Sequence, residues 1–190
     1  MRIAVRVWHF GFAAGNRHVP QKTSAQFIAA MGRAVTGVTV VTTDGPAGRF
    51  GITVSAFASV SADPPMVLAC VNRKSPVAEA VLANKALCIN ILTDAHHAVA
   101  DTFAGRSAAG RPYDFGVCDW SIAATGSPVF AEALATFDCN LESWHDAGTH
   151  RIFIGRVAAA GHAEARPLAY TQRGYRQVVA LDPNQQRTHQ

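Results

Sequence analysis

Hydrophobic and polar positions alternate most clearly over residues 50–61. Ile52, Val54, Ala56, Ala58 and Val60 share one parity; Thr53, Ser55, Ser59 and Ser61 share the other, with Phe57 among them. Successive side chains of a strand point to opposite faces. The pattern therefore predicts one continuous strand with an apolar face and a row of hydroxyls that donate and accept. Pro64-Pro65 closes it, since proline gives no hydrogen to a ladder. The apolar run 66–71 predicts a second, buried strand. Ser75 then suits a helix N-cap and Pro76 the first helical position, which predicts a helix over residues 76–83.

The same reading extends along the chain. Thr23 and Gln26 have capping-box spacing, which predicts a helix over 24–35 with Phe27, Met31 and Ala34 on one face, broken by Gly37. The β-branched run 38–43 predicts a strand, and the Asp, Gly and Pro cluster at 44–48 a turn. A strand is expected over 87–92, a helix from Asp94 to about Phe103, and a loop over 105–114. After a turn at 125–128, a long strand over 133–144 turns at 146–148 and returns over 150–160 as its hairpin partner, and 168–179 holds a last strand. Six or seven strands and about three helices, joined by hairpins rather than in steady alternation, argue for a mainly β chain, an antiparallel β-barrel with appended helices. Residues 1–21 read as a loosely ordered N-terminal extension, 22–180 as one domain and 181–190 as a polar tail.

Composition narrows the function classes. A chain of 190 residues with 49% apolar and 16% charged residues is globular. Its formal charge of +4 comes from scattered Lys and Arg, with neither a basic helix nor an RNA-binding aromatic motif, so no nucleic-acid partner is expected. No run of apolar residues is long enough to cross a membrane, and the N-terminus lacks the hydrophobic centre of a signal peptide. Cys70, Cys88, Cys118 and Cys139 show no CxxC spacing and read as free thiols, consistent with a reducing, cytoplasmic setting.

The familiar catalytic signatures are missing. No G-x-G-x-x-G follows a strand, and there is no G-x-S-x-G elbow. Gly105 and Gly110 have P-loop spacing, but Arg111-Pro112 follows where Lys and Ser or Thr are needed. His96-His97, and His145 with His150, lack metal-ligand spacing, so no metal is expected. A chain this poor in proton-transfer machinery suits chemistry carried by a cofactor. Arg73 and Lys74 flank the helix start at Ser75, whose free N–H groups and partial positive charge suit a phosphate. Two readings stand at this point: a hydroxyl-lined strand ending at an anion site, or an ordinary half-exposed strand, turn and capped helix.

Several stretches carry a resemblance: residues 37–43, residues 51–65, Cys88-Ile89-Asn90-Ile91-Leu92, Phe103-Ala104-Gly105, Thr125-Gly126-Ser127-Pro128, Gly148-Thr149-His150, Ile154-Gly155-Arg156-Val157 and Arg173-Gly174-Tyr175. In this order they resemble the flavin reductase-like family, and within it the reductase component of two-component flavin-dependent monooxygenases of the 4-hydroxyphenylacetate type. The resemblance spans about Phe27 to Tyr175. It implies an FMN-binding split β-barrel, usually a homodimer. It further implies that the chain binds FMN or FAD, oxidises NADH or NADPH and releases reduced flavin to a separate partner oxygenase.

By position, the resemblance places Gly51, Thr53, Ser55 and Ala56 against the flavin ring and ribityl chain, with Cys70, Val71 and Asn72 lining the same groove. Ser75 and Pro76 would meet the flavin phosphate, and Thr102 and Phe103 would close over the flavin. His150, Tyr170 and Tyr175 would lie on the nicotinamide side, with His150 orienting the nicotinamide amide or helping proton balance. His150 also reads as a strand-start histidine satisfied by a neighbouring carbonyl, and Tyr175 as barrel-edge packing. The family often has an aspartate where this chain has Thr149. Besides the reductase, two alternatives remain: a flavin-binding carrier or sensor module without turnover, and a split-barrel oxidase acting on a phosphorylated pyridoxine compound.

Overall fold

The computed structural model describes residues 21–108 and 110–181. The expected extension before Gln21 and the tail after Leu181 lie outside the described residues. Helix α1 (Gln21–Met31) belongs to a compact unit of its own, and a second unit begins at Ala34. The helix starts before Thr23 and stops at Met31, so the capping-box pair sits inside it rather than at its start. Residues 32–35, expected to continue it, form a turn and bend instead, the Arg33 N–H donating to the Ala30 carbonyl at 3.0 Å, and β1 (Thr36–Gly37) then lies antiparallel to β11 (Leu168–Thr171).

The second unit is built on a seven-stranded antiparallel sheet. Its order is β3 (Phe50–Val54), β2 (Thr39–Thr43), β6 (Ala86–Ile91), β9 (Ala135–Ala147), β10 (His150–His162), β5 (Pro65–Asn72) and β4 (Phe57–Ala62). The two edge strands, β3 and β4, are consecutive in sequence and separated only by Ser55 and Ala56. A two-residue link spans only about 10 Å, so the two edges must approach one another there. One core gathers Val41, Ile52, Val54, Phe57, Val67, Ala69, Val71, Ile89, Cys139 and Phe153, residues from all seven strands, together with Val77, Ala78 and Val81 of helix α2 (Pro76–Asn84). One face of the sheet is thus wrapped around a single interior, while β3 and β4 remain unpaired with each other.

This overturns the expectation of one continuous strand over 50–61. The link changes parity: Phe57 joins Ile52 and Val54 in the interior, and Val60 is exposed instead of sharing their face. A straight strand cannot serve both edges of one sheet. The backbone at the break bonds across to β5 instead, with the Cys70 N–H donating to the Ala56 carbonyl at 2.9 Å.

On the outer side of β3 and β2 lies helix α3 (His97–Phe103), expected as part of one helix from Asp94 but preceded by a separate 3-10 turn at Asp94–His96. Here Val38, Val40, Leu92, Val99, Ala100, Phe103, Phe130 and Leu168 form a second core. Two short hairpins close around it: β7 (Trp120–Ile122) with β8 (Pro128–Phe130), and β11 with β12 (Gly174–Gln177). β7 and β8, three residues long, are too short to leave a periodic signal, whereas β11 and β12 lie within the single strand expected over 168–179, which a turn at 172–173 divides in two. The β11–β12 turn uses Gln172 and Arg173 at φ of 50° and 60°, left-handed positions with no glycine to announce them.

Helix α2 is anchored where the sequence predicts. Ser75 is extended, at φ −74° and ψ 135°, its hydroxyl accepts from the Val77 N–H at 3.3 Å, and Pro76 follows at the first position. The nearly buried Arg151 of β10 holds the helix to the β9–β10 hairpin. It reaches Glu79 of α2 at 3.0 Å and Asp146 of β9 at 2.7 and 3.2 Å. Asp146 also pairs with Arg73 at 3.2 Å. The Arg151 guanidinium lies 4.6 Å from the centre of the Trp144 ring.

Two expected outcomes follow from this packing. A Cβ on Gly51 would come within 2.7 and 2.8 Å of the fully buried Phe103 ring. Gly51→Ala should therefore destabilise the protein by about 1–3 kcal/mol, read as a lowered melting temperature. The Arg151 hydrogen bond, and then the charges of Arg151 and Arg73, hold the Asp146 carboxyl below its ordinary range. Its contribution to stability is present above that range and is lost as pH falls through the lowered value. Asp146→Asn should lower the melting temperature at neutral pH, with the gap to the parent narrowing on acidification; a gap independent of pH would contradict this.

Candidate functional site

Strand β3 is a wall shared by two cavities. The larger, of about 440 Å³, is lined by Arg49, Phe50, Gly51 and Ile52 from β3 and the residue before it, by Lys74, Ser75, Pro76 and Val77 at the start of α2, and by Tyr113 and Phe115. The smaller, of about 180 Å³, is lined by Val38, by Thr53, Val54 and Ser55, by Ala104 and Arg106, and by Tyr170 and Tyr175. Along one strand the chain passes from a cationic, capped-helix end to a tyrosine end.

The charges at the larger cavity come from side chains. Lys74 is exposed and has no carboxylate partner among the described residues. Arg49 pairs with Asp44 at 2.8 Å, and its guanidinium stands 5.5 Å from the centre of the Phe115 ring. The free N–H groups expected at the helix start are largely spent. Those of Arg73, Lys74 and Ser75 donate to the Thr149 carbonyl, Asn72 Oδ1 and the Asn72 carbonyl at 2.9–3.0 Å, and that of Ala78 to the Ser75 carbonyl at 3.0 Å. Arg73 itself is turned away to Asp146 and the Gly148 carbonyl. An anion here would meet Lys74, Arg49, the Ser75 hydroxyl and the helix dipole rather than a ring of bare amides.

The sequence-predicted residues distribute as follows. Gly51, Ser75 and Pro76 line the larger cavity, and Thr53, Ser55, Tyr170 and Tyr175 the smaller. The Thr53 hydroxyl donates to the Ala100 carbonyl at 2.7 Å, tying β3 to α3. Ala56 is exposed in the link, Cys70 is half-buried on β5, and Val71 is wholly within the core. Asn72 is exposed and stands opposite His150 in the β5–β10 register. His150, exposed with Nδ1 2.9 Å from the Thr149 hydroxyl, lines neither cavity. Thr102 is buried, donating to the Ala98 carbonyl at 3.0 Å. Phe103 is fully buried beneath Gly51, edge-on to Phe115 and Trp120 at 5.0 and 5.5 Å.

Sequence reasoning missed Arg49, Tyr113 and Phe115. The loop after α3 folds back so that Tyr113, at φ 61°, donates its N–H to the Thr102 carbonyl at 3.0 Å, and the Asp114 side chain caps Gly116. Gly105, at φ 75°, leaves room for the Tyr113 hydroxyl, which would lie 2.7 Å from any Cβ there. The glycine and the two aromatics around Asp114 were the available signal, but only the fold shows that they face Ser75.

The cysteines offer no reactive thiolate. Burial pushes Cys118 and Cys139 up to about 12 and raises Cys70 and Cys88 as well, so all four stay protonated at neutral pH. No cluster of His, Cys, Asp and Glu among the described residues could hold a metal ion. A cavity lined by Phe50, Ile52, Val77, Tyr113 and Phe115 together with the cations Arg49 and Lys74 fits a phosphorylated aromatic molecule such as a flavin nucleotide.

Comparison with known proteins gives the same direction. An FMN reductase (NADH) RutF of Variovorax paradoxus (strain S110) is 42% identical over 164 residues, covering 85% of this chain and 89% of that protein. The solved flavin reductase PheA2 superposes with a TM-score of 0.75 at 33% identity, over 82% of this chain and 98% of its own. BorF, the flavin reductase component of a bacterial two-component tryptophan halogenase, superposes with a TM-score of 0.74 at 32% identity, over 83% and 99%. The flavin reductase like domain matches residues 31–179, and with the chain so covered, this protein belongs to that family.

Proposed function

We propose that this protein is an NADH-dependent flavin reductase that binds FMN along β3, the edge strand of an open split β-barrel, and supplies reduced flavin to a partner oxygenase. The observation that carries this reading is the shared wall: one strand runs from a phosphate-suited cavity to a small tyrosine-lined one. The names of the relatives, FMN reductase (NADH) and flavin reductase component, support the same assignment. The exposed edge strand β4, with Ala58, Ser59 and Val60 open to solvent, suits a homodimer, and a cytoplasmic setting suits four free thiols.

Each part of the site has a task. The Lys74 amine and the Ser75 hydroxyl hold the phosphate, with Arg49 adding positive charge beside it. Phe50, Ile52, Tyr113 and Phe115 exclude water from the flat part of the ligand. The Thr53 bond to α3 fixes the strand along which that part lies. Tyr170 and Tyr175 bound the remaining space, which would take the nicotinamide ring. When bound, the flavin supplies the acceptor for a hydride from the nicotinamide. No side chain needs to act as base, so the protein contributes proximity and alignment.

Purified protein with added FMN should oxidise NADH, followed as the loss of NADH absorbance. Tight flavin binding with NADH oxidation no faster than free flavin allows would replace this reading by the flavin carrier. Lys74→Ala should weaken FMN binding by about 3- to 10-fold, the loss of one exposed charge-assisted contact. It should leave riboflavin, which has no phosphate, within about two-fold of the parent. Equal weakening of both would place the phosphate elsewhere.

A further inference from the structure

The smaller cavity is walled by a tyrosine that three elements hold in place. The Tyr175 hydroxyl on β12 donates to Asp101 Oδ1 of α3 at 2.9 Å, and Arg106 donates to the same hydroxyl at 3.3 Å. Arg106 also grips Asp101 Oδ1 through Nε and Nη2 at 3.3 and 3.1 Å. The Tyr175 ring stands edge-on to Tyr170 at 5.6 Å, and His97 lies 6.4 Å away. Burial, and then the bond to Asp101, raise the Tyr175 hydroxyl above its ordinary value, so it remains a donor at any physiological pH.

We infer that Asp101 and Arg106 are positioning residues which fix Tyr175 as the wall of the nicotinamide cavity and so set its affinity for the NADH ring. The inference rests on the hydride-transfer reading above. At about 180 Å³ the cavity lies below the size range of whole-ligand pockets and takes a single ring rather than a tricycle. Its far wall offers the Ser55 hydroxyl, which has no hydrogen-bond partner among the described residues and can meet a carboxamide. Tyr175 is bonded through its hydroxyl to Asp101 of α3 and to Arg106, a second residue of the same wall, so the latch ties β12 to α3 and to the segment that follows it. Deleting the latch frees the ring without touching the phosphate end.

The test separates binding of the two ligands in the full-length protein. Asp101→Ala and Tyr175→Phe should each raise KM for NADH by about 5- to 10-fold, with kcat and the FMN Kd within about two-fold of the parent. Asp101→Asn keeps an acceptor oxygen in place and should restore KM to within about two-fold. A purely structural role would instead lower the melting temperature and weaken FMN and NADH together, which overturns the inference. So would an unchanged KM in both variants, or an Asp101→Asn as impaired as Asp101→Ala. Should Asp101→Ala fail to fold, Tyr175→Phe, which removes only the hydroxyl, reads the same step. A parent protein that does not turn over NADH at all overturns the underlying function and this inference with it; an active parent with insensitive variants overturns the inference alone.

Discussion

Two residues, Ser55 and Ala56, join the opposite edges of a seven-stranded sheet. Because β3 and β4 are contiguous in the chain and farthest apart in the hydrogen-bonded order, the sheet must wrap for both to exist. Wrapping puts Ile52, Val54 and Phe57 into one interior despite their mismatched parity, and leaves the other side of β3 to face α3. That outer side can close only because position 51 carries no side chain: the Phe103 ring occupies the place where a Cβ would be. The same strand can then border a cavity at each end. The fold and the candidate site are thus consequences of one turn in the backbone.

Electrostatics finishes what the wrapping begins. Arg151, with almost no exposed surface, is neutralised by Asp146 and Glu79, so its burial carries no unpaired charge. By bridging β9, β10 and α2 it sets where the Ser75 cap stands relative to β3. Asp146 takes Arg73 as well, and Lys74 at the larger cavity has no carboxylate partner among the described residues. At the other end, Asp101 and Arg106 do for Tyr175 what Asp146 and Arg151 do for the helix start. Each cavity is bordered by an element that a carboxylate and arginine pair holds, α2 at the larger and β12 at the smaller.

Much of this was legible locally. The cap at Ser75, the proline after it, the turn at 44–48 and the long β9–β10 hairpin depend on neighbours in sequence, and they stand close to where periodicity and turn chemistry put them. The motif order that resembled flavin reductases was legible too, because it follows short-range patterns around the same turns. The failures have separate causes. The break at 55–56 is decided by the wrapping that brings Cys70 to Ala56, the division of the strand expected over 168–179 by a turn at 172–173, and the short β7–β8 hairpin by strands too brief to carry a periodic signal.

The sequence by itself determined the mainly β class, the antiparallel hairpins, the capped helix and the family, since each is written in adjacent residues. Only the tertiary structure decided which groups share a cavity. It turned Arg73 away and brought in Arg49, Tyr113 and Phe115. It buried Phe103, left His150 outside both cavities, and joined Tyr175 to Asp101 and Arg106 across about 70 residues of chain. The physical reason is that hydrophobic pattern and turn chemistry act over a few residues. The pairing of charges and the wrapping of an open sheet depend on distances that exist only once the chain has folded.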